Sequence, residues 1–274
     1  MTASLSPAVT DYQVTGAFIT DVGCHRKNNE DCSLLIIPED STGKGALAIV
    51  ADGMGGHAAG ETASNMAVSI ISRVYYADSA DPNSSLARAF EEANRSIHEL
   101  GLADPAYSNM GTTCTALSLT DGKAYYAHIG DTRLYLIRNG AAYLLSEDHS
   151  YVMEMVRQGI LKAEEAANHP NRNVLLNSMG IKPEINTSLW GRPMPIRCGD
   201  RFLLCSDGLY ELVSDSEIVE GSTGADLSAA CAGLVSLAKE RGGYDNITVV
   251  LLEIAPKDRE SVRIKVTREG EAMR

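Results

Sequence analysis

Thr115-Ala116-Leu117-Ser118-Leu119-Thr120-Asp121-Gly122-Lys123-Ala124-Tyr125-Tyr126-Ala127-His128-Ile129 decides the fold class of this chain. Two apolar runs flank an Asp-Gly pair. The same design recurs where Asn139-Gly140 separates residues 133–137 from 142–145. Asp-Gly and Asn-Gly suit the positive φ angles of type I′ turns, so each pair predicts a tight hairpin. Tight hairpins join antiparallel strands, whereas parallel strands need long crossovers. A doubly wound parallel sheet is thereby excluded.

Outward from these hairpins, residues 14–21, 34–37, 46–52, 201–206 and 247–254 read as further strands. Ala63, Met66, Ala67, Ile70, Ile71 and Val74 share one face at helical spacing. A second helix carries Leu86, Ala89, Phe90, Ala93, Ile97 and Leu100, with Asp81-Pro82 as its start signal. A third follows from Leu227, Ala230, Cys231, Leu234, Val235 and Ala238. The polar stretch at about 150–180 reads as a flap-like excursion with a short helix near 151–158. Antiparallel strands with helices gathered outside predict an α+β sandwich. No linker divides the chain, so 14–254 is expected to be one domain. Residues 1–13 form an N-terminal segment and 255–274 a charged tail, either a loose end or an edge strand through 262–266.

Acids recur where these strands meet turns. Residues 46–51 run into Asp52-Gly53, residues 124–129 into Gly130-Asp131, and residues 201–206 into Asp207-Gly208; Asp245-Asn246 opens the run at 247–252. Aspartates gathered without basic partners repel one another, and oxygen ligands favour hard divalent cations over zinc. Taken singly, each has an ordinary explanation. Asp131 reads as a turn cap, Asp207 as a helix N-cap, and Arg26 to Asp31 as an exposed polar loop. The case for a site rests on their joint occurrence. His57 follows a glycine-rich strand-to-helix turn a few residues from Asp52, which suits a proton donor beside carboxylates.

The composition narrows the function classes. Lys+Arg 24 against Asp+Glu 36 gives a net charge of -12 across 274 residues, which argues against nucleic acid and anionic membrane as partners. None of the six cysteines forms a C-x-x-C pair, and none has Arg six positions on. A structural zinc site and a cysteine-nucleophile phosphatase are both disfavoured. Reduced thiols, no visible signal peptide and no membrane-length apolar run predict a cytoplasmic protein.

The motifs in order resemble those of the metal-dependent serine/threonine protein phosphatases, the type 2C (PPM) family, in its compact bacterial form. The matching pieces are Gly23-x-x-Arg26-x-x-Asn29-Glu30-Asp31 and Val50-Ala51-Asp52-Gly53-Met54-Gly55-Gly56-His57-x-x-Gly60-Glu61. Met110-Gly111-Thr112-Thr113, Gly130-Asp131-Thr132-Arg133 and Asp148-His149-Ser150 follow, then Ser206-Asp207-Gly208-Leu209 and Asp245-Asn246-Ile247-Thr248-Val249. The resemblance implies a four-layer α-β-β-α sandwich of two mainly antiparallel sheets flanked by helices. It implies two Mn²⁺ or Mg²⁺ ions per active site. Asp52 would bridge them, Glu30 and the Gly53 carbonyl would complete one shell, and Asp207 and Asp245 would hold the other ion. A third cation would fall to Asp131, with Asp207 and with Glu211 as a further acid. Arg26 would bind phosphate and His57 would act as general acid.

The implied reaction is hydrolysis of phosphoserine and phosphothreonine in proteins by in-line attack of a metal-bridging hydroxide, reversing a serine/threonine kinase. Phosphorylated proteins are then the partners. A non-catalytic pseudophosphatase or phosphoprotein-binding module is the alternative. The flap departs from the family pattern, since Asn177-Ser178-Met179-Gly180 stands where bacterial members usually carry Arg-Ala-Leu-Gly.

Overall fold

The structure is a computed structural model that describes residues 12–39, 43–56, 58–166, 168–224 and 226–257. Strands β1 (Tyr12–Asp21), β2 (Asp31–Ile36) and β3 (Ala46–Met54) precede helices α1 (Ala58–Ala77) and α2 (Pro82–Ala103). A run of strands follows: β4 (Gly111–Thr112), β5 (Cys114–Thr120), β6 (Lys123–Ile129), β7 (Arg133–Arg138) and β8 (Ala141–Leu144). Two short helices, α3 (Tyr151–Arg157) and α4 (Ala163–Ala166), lead to β9 (Ser188–Leu189), β10 (Met194–Pro195) and β11 (Arg201–Cys205). The chain closes with α5 (Asp207–Tyr210), α6 (Asp215–Gly221), α7 (Leu227–Glu240) and β12 (Ile247–Pro256).

The strands form two antiparallel sheets. One has the order β1-β12-β11-β7-β8, and the other runs β10-β6-β5-β3-β2, with β4 on β3 and β9 on β6. Three apolar cores account for four layers. Leu47, Ile49 and Ala51 of β3 pack under α1 and α2 with Ile71, Phe90 and Ile97. Ala46, Ala48 and Val50 of the same strand face Leu204, Val250 and Leu252 between the sheets. Leu203, Val249 and Leu251 turn outward onto α7 through Leu234 and Val235. The central strands read as unbroken apolar runs because both faces are buried. The expected α+β sandwich of four layers is the observed one.

The turn chemistry behaves as expected. Asp121 and Gly122 have φ of 50 and 70, and Asn139 and Gly140 have 54 and 74, the double positive φ of a type I′ turn. Asp81 caps α2 through Oδ1, which accepts from the backbone N–H of Asn83 and Ser84. The closing pair Tyr12–Pro256 joins β1 to β12, just outside the span 14–254. The short elements escape a periodicity reading, since α4, α5 and α6 are too short to show a stripe and β4, β9 and β10 are only two residues long. Residues 262–266 of the tail lie outside the described residues. Among the described residues, no helix is long and apolar enough to cross a membrane.

The sheets differ in which consecutive strands they share. Strands β6 and β7 follow one another in sequence but lie in different sheets, as do β1 and β2. The chain therefore crosses the sandwich at Gly130-Asp131-Thr132 and again at residues 22–30. Both crossings sit at the same end of the sandwich as Asp52.

Near that end, His128 is fully buried on β6. Its Nε2 donates to the Glu147 carbonyl (3.1 Å), and Nδ1 accepts from the Thr115 hydroxyl (2.8 Å). Burial, with His149 alongside, pushes its pKa down to about 3. A folded-state value below the unfolded one means that the unfolded chain binds the extra proton. The neutral ring's contribution is complete above about pH 6.5 and is lost as pH falls toward 3, by about 1.4 kcal/mol per unit. His128→Gln should destabilise the fold at pH 7.5, and the gap from wild type in urea unfolding should narrow by about 2 kcal/mol at pH 5. A gap that does not change with pH would show that His128 is not held neutral.

Candidate active site

Asp52 stands near the end of β3, directly opposite Asp31 on β2. Like charges opposite one another on a sheet are unfavourable, so this backbone must be held firmly. The Gly111-Thr112-Thr113 segment does that. The Asp52 carbonyl accepts from Thr113 N–H (2.9 Å) and from the Thr112 hydroxyl (2.8 Å), while Asp52 N–H donates to Thr113 Oγ1 (3.2 Å). Gly53 follows where no side chain fits. A Cβ there would lie 2.1 Å from the Gly60 carbonyl oxygen and 2.7 Å from that of Glu30. Close approach of the loop and α1 to β3 thus requires glycine, and it brings Glu30 to the same end of the site.

Asp207 and Asp245 come from neighbouring strands of the other sheet. Asp207 is the first residue of α5; Ser206 takes the N-cap position. The N-cap expectation for Asp207 is therefore corrected, and its carboxylate is free for other use. A Cβ on Gly208 would lie 2.0 Å from the Asn246 carbonyl, so this glycine lets α5 pack against the turn that carries Asp245. Asn246 then fastens the crossing loop. Its Oδ1 accepts from Glu30 N–H (2.8 Å), and its Nδ2 donates to the carbonyls of Val22 (3.1 Å) and Asn28 (3.0 Å). Arg26 on that loop donates from Nη2 to Asp245 Oδ2 (2.7 Å).

Arg26, Glu30, Asp52, Gly53, Asp131, Asp207 and Asp245 line one pocket of about 290 Å³, with Asn173 and Leu175 from the excursion. Glu211 is not among them. It lies with Asp131 in a neighbouring pocket, where Oε1 accepts from Arg172 Nε (3.2 Å). His57 lies outside the described residues. The expectation of an ordinary exposed loop at residues 26–31 fails at Asp31, which is buried.

Asp31 and Asn246 went unassigned in the sequence. Asp31 Oδ2 accepts from Ser206 Oγ (2.7 Å) and Thr248 Oγ1 (2.6 Å), tying β2 to β11 and β12. The signal for Asn246 was the Asp-Asn pair before a buried strand, which periodicity does not interpret.

The electrostatics are those of anions short of counter-charge. Burial first, then Asp31 and Asp207, hold the Asp52 carboxyl well above the usual carboxylate range. Burial, then Asp131 and Asp245, do the same to Asp207. Asp131 is pushed up to about 7 by burial and Asp148. Burial alone would lower the pKa of Arg26, but its bond to Asp245 and the charges of Asp245, Glu30 and Asp52 raise it. Asp207 Oδ1 is buried without a hydrogen-bond partner. Among the described residues no three acids or imidazoles stand together in a finished ligand cluster; Arg26 engages Asp245 in its place. The donor chemistry nevertheless fits hard cations. The donors are all oxygens, several are charged, and one buried oxygen is bare.

The protein phosphatase 2C family profile matches residues 26–232. This chain belongs to the protein phosphatase 2C family. It is 39% identical to protein phosphatase PhpP of Streptococcus pneumoniae over 249 residues, covering 89% of this chain and 99% of that one. It is similar in structure to the Mycobacterium tuberculosis serine/threonine phosphatase PstP/Ppp, with a TM-score of 0.79, 35% identity, and coverage of 88% and 99%. A catalytic domain of PstP solved in complex with two manganese ions has a TM-score of 0.75 and 33% identity, covering 89% of this chain and 99% of that one. Phosphatases of this family are metal-dependent.

The charge cluster yields a stability test. Asp207 has a raised folded-state pKa, so the folded chain holds its proton more readily than the unfolded one. The resulting penalty is absent at low pH and grows as pH rises above about 3.9, the unfolded carboxylate value. Without divalent cations, Asp207→Asn should therefore raise stability at pH 7.5 by about 1–2 kcal/mol, with the gain vanishing toward pH 4. Thermal unfolding in chelator measures it; a lower Tm for the variant at pH 7.5 contradicts the repulsion account.

Proposed function

We propose that this phosphatase hydrolyses phosphoserine and phosphothreonine in proteins, and that its pocket holds two divalent cations, Mn²⁺ or Mg²⁺. Asp52 would serve both ions, Glu30 and the Gly53 carbonyl one, and Asp207 and Asp245 the other. The observation that carries this assignment is that five acids from five different strand ends, with one arginine, line a single pocket. When bound, the cations lower the pKa of water and offset anionic charge at the site.

The chain's own residues do the rest. Arg26 has a planar guanidinium that matches phosphate oxygens in a forked geometry. Its partner Asp245 holds it at the pocket in this structure, and a ligand role for Asp245 would free it for phosphate. Thr112 and Thr113 fix the Asp52 backbone, so the acid does not retreat from its neighbours. His57 is assigned to donate a proton to the serine or threonine oxygen as the phosphorus–oxygen bond breaks. The water oxygen ends on phosphorus, and the products are the free hydroxyl and inorganic phosphate. Asp131 is the candidate for a third cation, with Asp207; Glu211 is the weaker one, because Arg172 already engages it.

A serine/threonine kinase is the partner class whose products these are. Six free thiols support a cytoplasmic setting. The alternative of a non-catalytic phosphoprotein-binding module is disfavoured, since every core acid is present.

Turnover of p-nitrophenyl phosphate and of a phosphothreonine peptide should require Mn²⁺ or Mg²⁺ and disappear with chelator. Asp207→Asn should lose about 10³-fold in kcat. Full activity without metal, or in that variant, removes the assignment. His57→Ala should slow the peptide more than p-nitrophenyl phosphate by about 10²-fold, because nitrophenolate leaves without a proton. Equal slowing of the two substrates takes His57 out of the acid role.

A further inference from the structure

Helix α2 turns one amide side chain into the protein interior. Asn94 falls on its apolar face, in register with Phe90 and Ile97, and is 1% exposed. Asparagine is poorly suited to the middle of a helix, and a buried amide must find partners. Asn94 finds three, all at or just after the end of the excursion. Its Oδ1 accepts from Gly180 N–H (2.8 Å), and its Nδ2 donates to the carbonyls of Lys182 (3.0 Å) and Pro183 (3.1 Å). One turn further along α2, His98 Nδ1 donates to the Gly180 carbonyl (2.9 Å). Both backbone groups of Gly180 are thus held by this helix.

Only glycine can take that seat. The φ of Gly180 is 88, and a Cβ there would lie 2.4 Å from Ile97 Cγ2 and 2.9 Å from the Met110 carbonyl oxygen. The preceding residue, Met179, is fully buried and pairs with β4. Met179 N–H donates to the Thr112 carbonyl (2.9 Å), and Thr112 N–H donates to the Met179 carbonyl (3.1 Å). On its other edge β4 pairs with β3, Thr112 opposite Gly53 and Gly111 opposite Met54. The Thr112 hydroxyl grips the Asp52 carbonyl (2.8 Å).

A strand of two residues does not hold its own place. Strand β4 is fixed by β3 on one edge and by Met179 on the other, and Met179 is fixed through Gly180 to α2. A continuous path of hydrogen bonds and chain therefore runs from Asn94 through Gly180, Met179 and Thr112 to Asp52. It ends on the two residues assigned to one cation together, Asp52 and Gly53. Asn94 and His98 do not line the acid pocket, so their influence on it passes through this path.

Resting on the two-cation assignment, we propose that Asn94 is a positioning residue for metal binding. It ties α2 to β4 and thereby sets where the Asp52 carboxylate and the Gly53 carbonyl stand. A residue that only packed the helix would support stability without touching cation affinity.

The test is calorimetric titration of chelator-stripped protein with Mn²⁺ in wild type, Asn94→Ala, Thr112→Val, Thr112→Ser and the Asn94→Ala/Thr112→Val double variant. Urea unfolding in chelator establishes which variants are folded at the titration temperature. Asn94→Ala should raise the Mn²⁺ Kd about five- to tenfold, the scale of outer partners that orient metal ligands. Thr112→Val should raise it by a similar factor, and Thr112→Ser, which keeps the hydroxyl, by less than about twofold. The double variant should lose less than the product of the single losses, because both changes act on one path. Lowered stability with an unchanged Mn²⁺ Kd in Asn94→Ala, or a double-variant loss equal to that product, would overturn the positioning role. If Asn94→Ala does not fold, His98→Ala decides: Mn²⁺ binding weaker by about twofold to threefold supports the path, and unchanged binding overturns it. A wild type that binds no Mn²⁺ would instead overturn the two-cation assignment beneath it.

Discussion

Mutual repulsion among buried carboxylates is the constraint on which the rest of this structure depends. Burial raises the proton affinity of Asp31, Asp52, Asp131 and Asp207, and neighbouring acids raise it further: Asp31, Asp207 and Asp131 at Asp52, and Asp131, Asp245 and Asp31 at Asp207. Left alone, such a group relaxes apart or takes up protons. Here it does not separate, because each acid is fixed through its backbone. Two threonines grip Asp52, Asn246 ties down the loop before Glu30, and the short helix carrying Asp207 abuts the Asp245 turn. The fold supplies the rigidity and cations supply the missing charge. Stability and activity therefore pull in opposite directions at this site, as expected where function stores unfavourable electrostatics.

The two-sheet architecture explains where the acids gather. A sandwich buries both faces of its central strands, so the only backbone free to carry polar chemistry lies at strand ends and crossings. Asp52 leaves one sheet and Asp207 leaves the other, while Asp131 and Glu30 sit on chain crossings between them. Asp31 reinforces this junction. It accepts hydroxyl hydrogen bonds from Ser206 and Thr248 of the opposite sheet, and Thr248 in turn meets Thr20 on β1 (2.8 Å). The polar seam between the sheets is hydrogen-bonded at the site end, whereas its interior is apolar.

Much of this was legible in the sequence for a local reason. Asp121-Gly122 and Asn139-Gly140 encode a backbone conformation directly, and Asp81-Pro82 encodes a helix start. Unbroken apolar runs ending in acids marked strand ends. What stayed illegible depends on pairings between distant residues. Nothing in Gly130-Asp131-Thr132 states that the next strand joins the other sheet, since a hairpin would carry similar residues. Asp31 looked exposed because its neighbours Asn28, Asn29 and Glu30 are polar; its burial comes from Thr248, 217 positions away. Ser214 and Glu217 do spell a capping box for α6, but seven residues cannot show a helical stripe. Glu211 marks a limit of motif reasoning, because its engagement by Arg172 is set by how the excursion folds back.

The same dependence on distant pairing bears on how specificity can vary while the charge centre stays fixed. The Asp52, Asp207 and Asp245 turns are locked by glycines and backbone hydrogen bonds that tolerate little change. The excursion meets them at Asn173 and Leu175 in the pocket, at His149 beside the Gly130 turn, and at Met179, which exchanges backbone hydrogen bonds with Thr112 (3.1 and 2.9 Å). Exposed excursion residues such as Val174 and Leu176 can therefore change without loosening the acids, whereas Met179 is buried against the segment that holds Asp52. The charge centre is thus built from turns fixed by packing, while part of the surface over it belongs to a segment whose exposed positions carry no share of that packing.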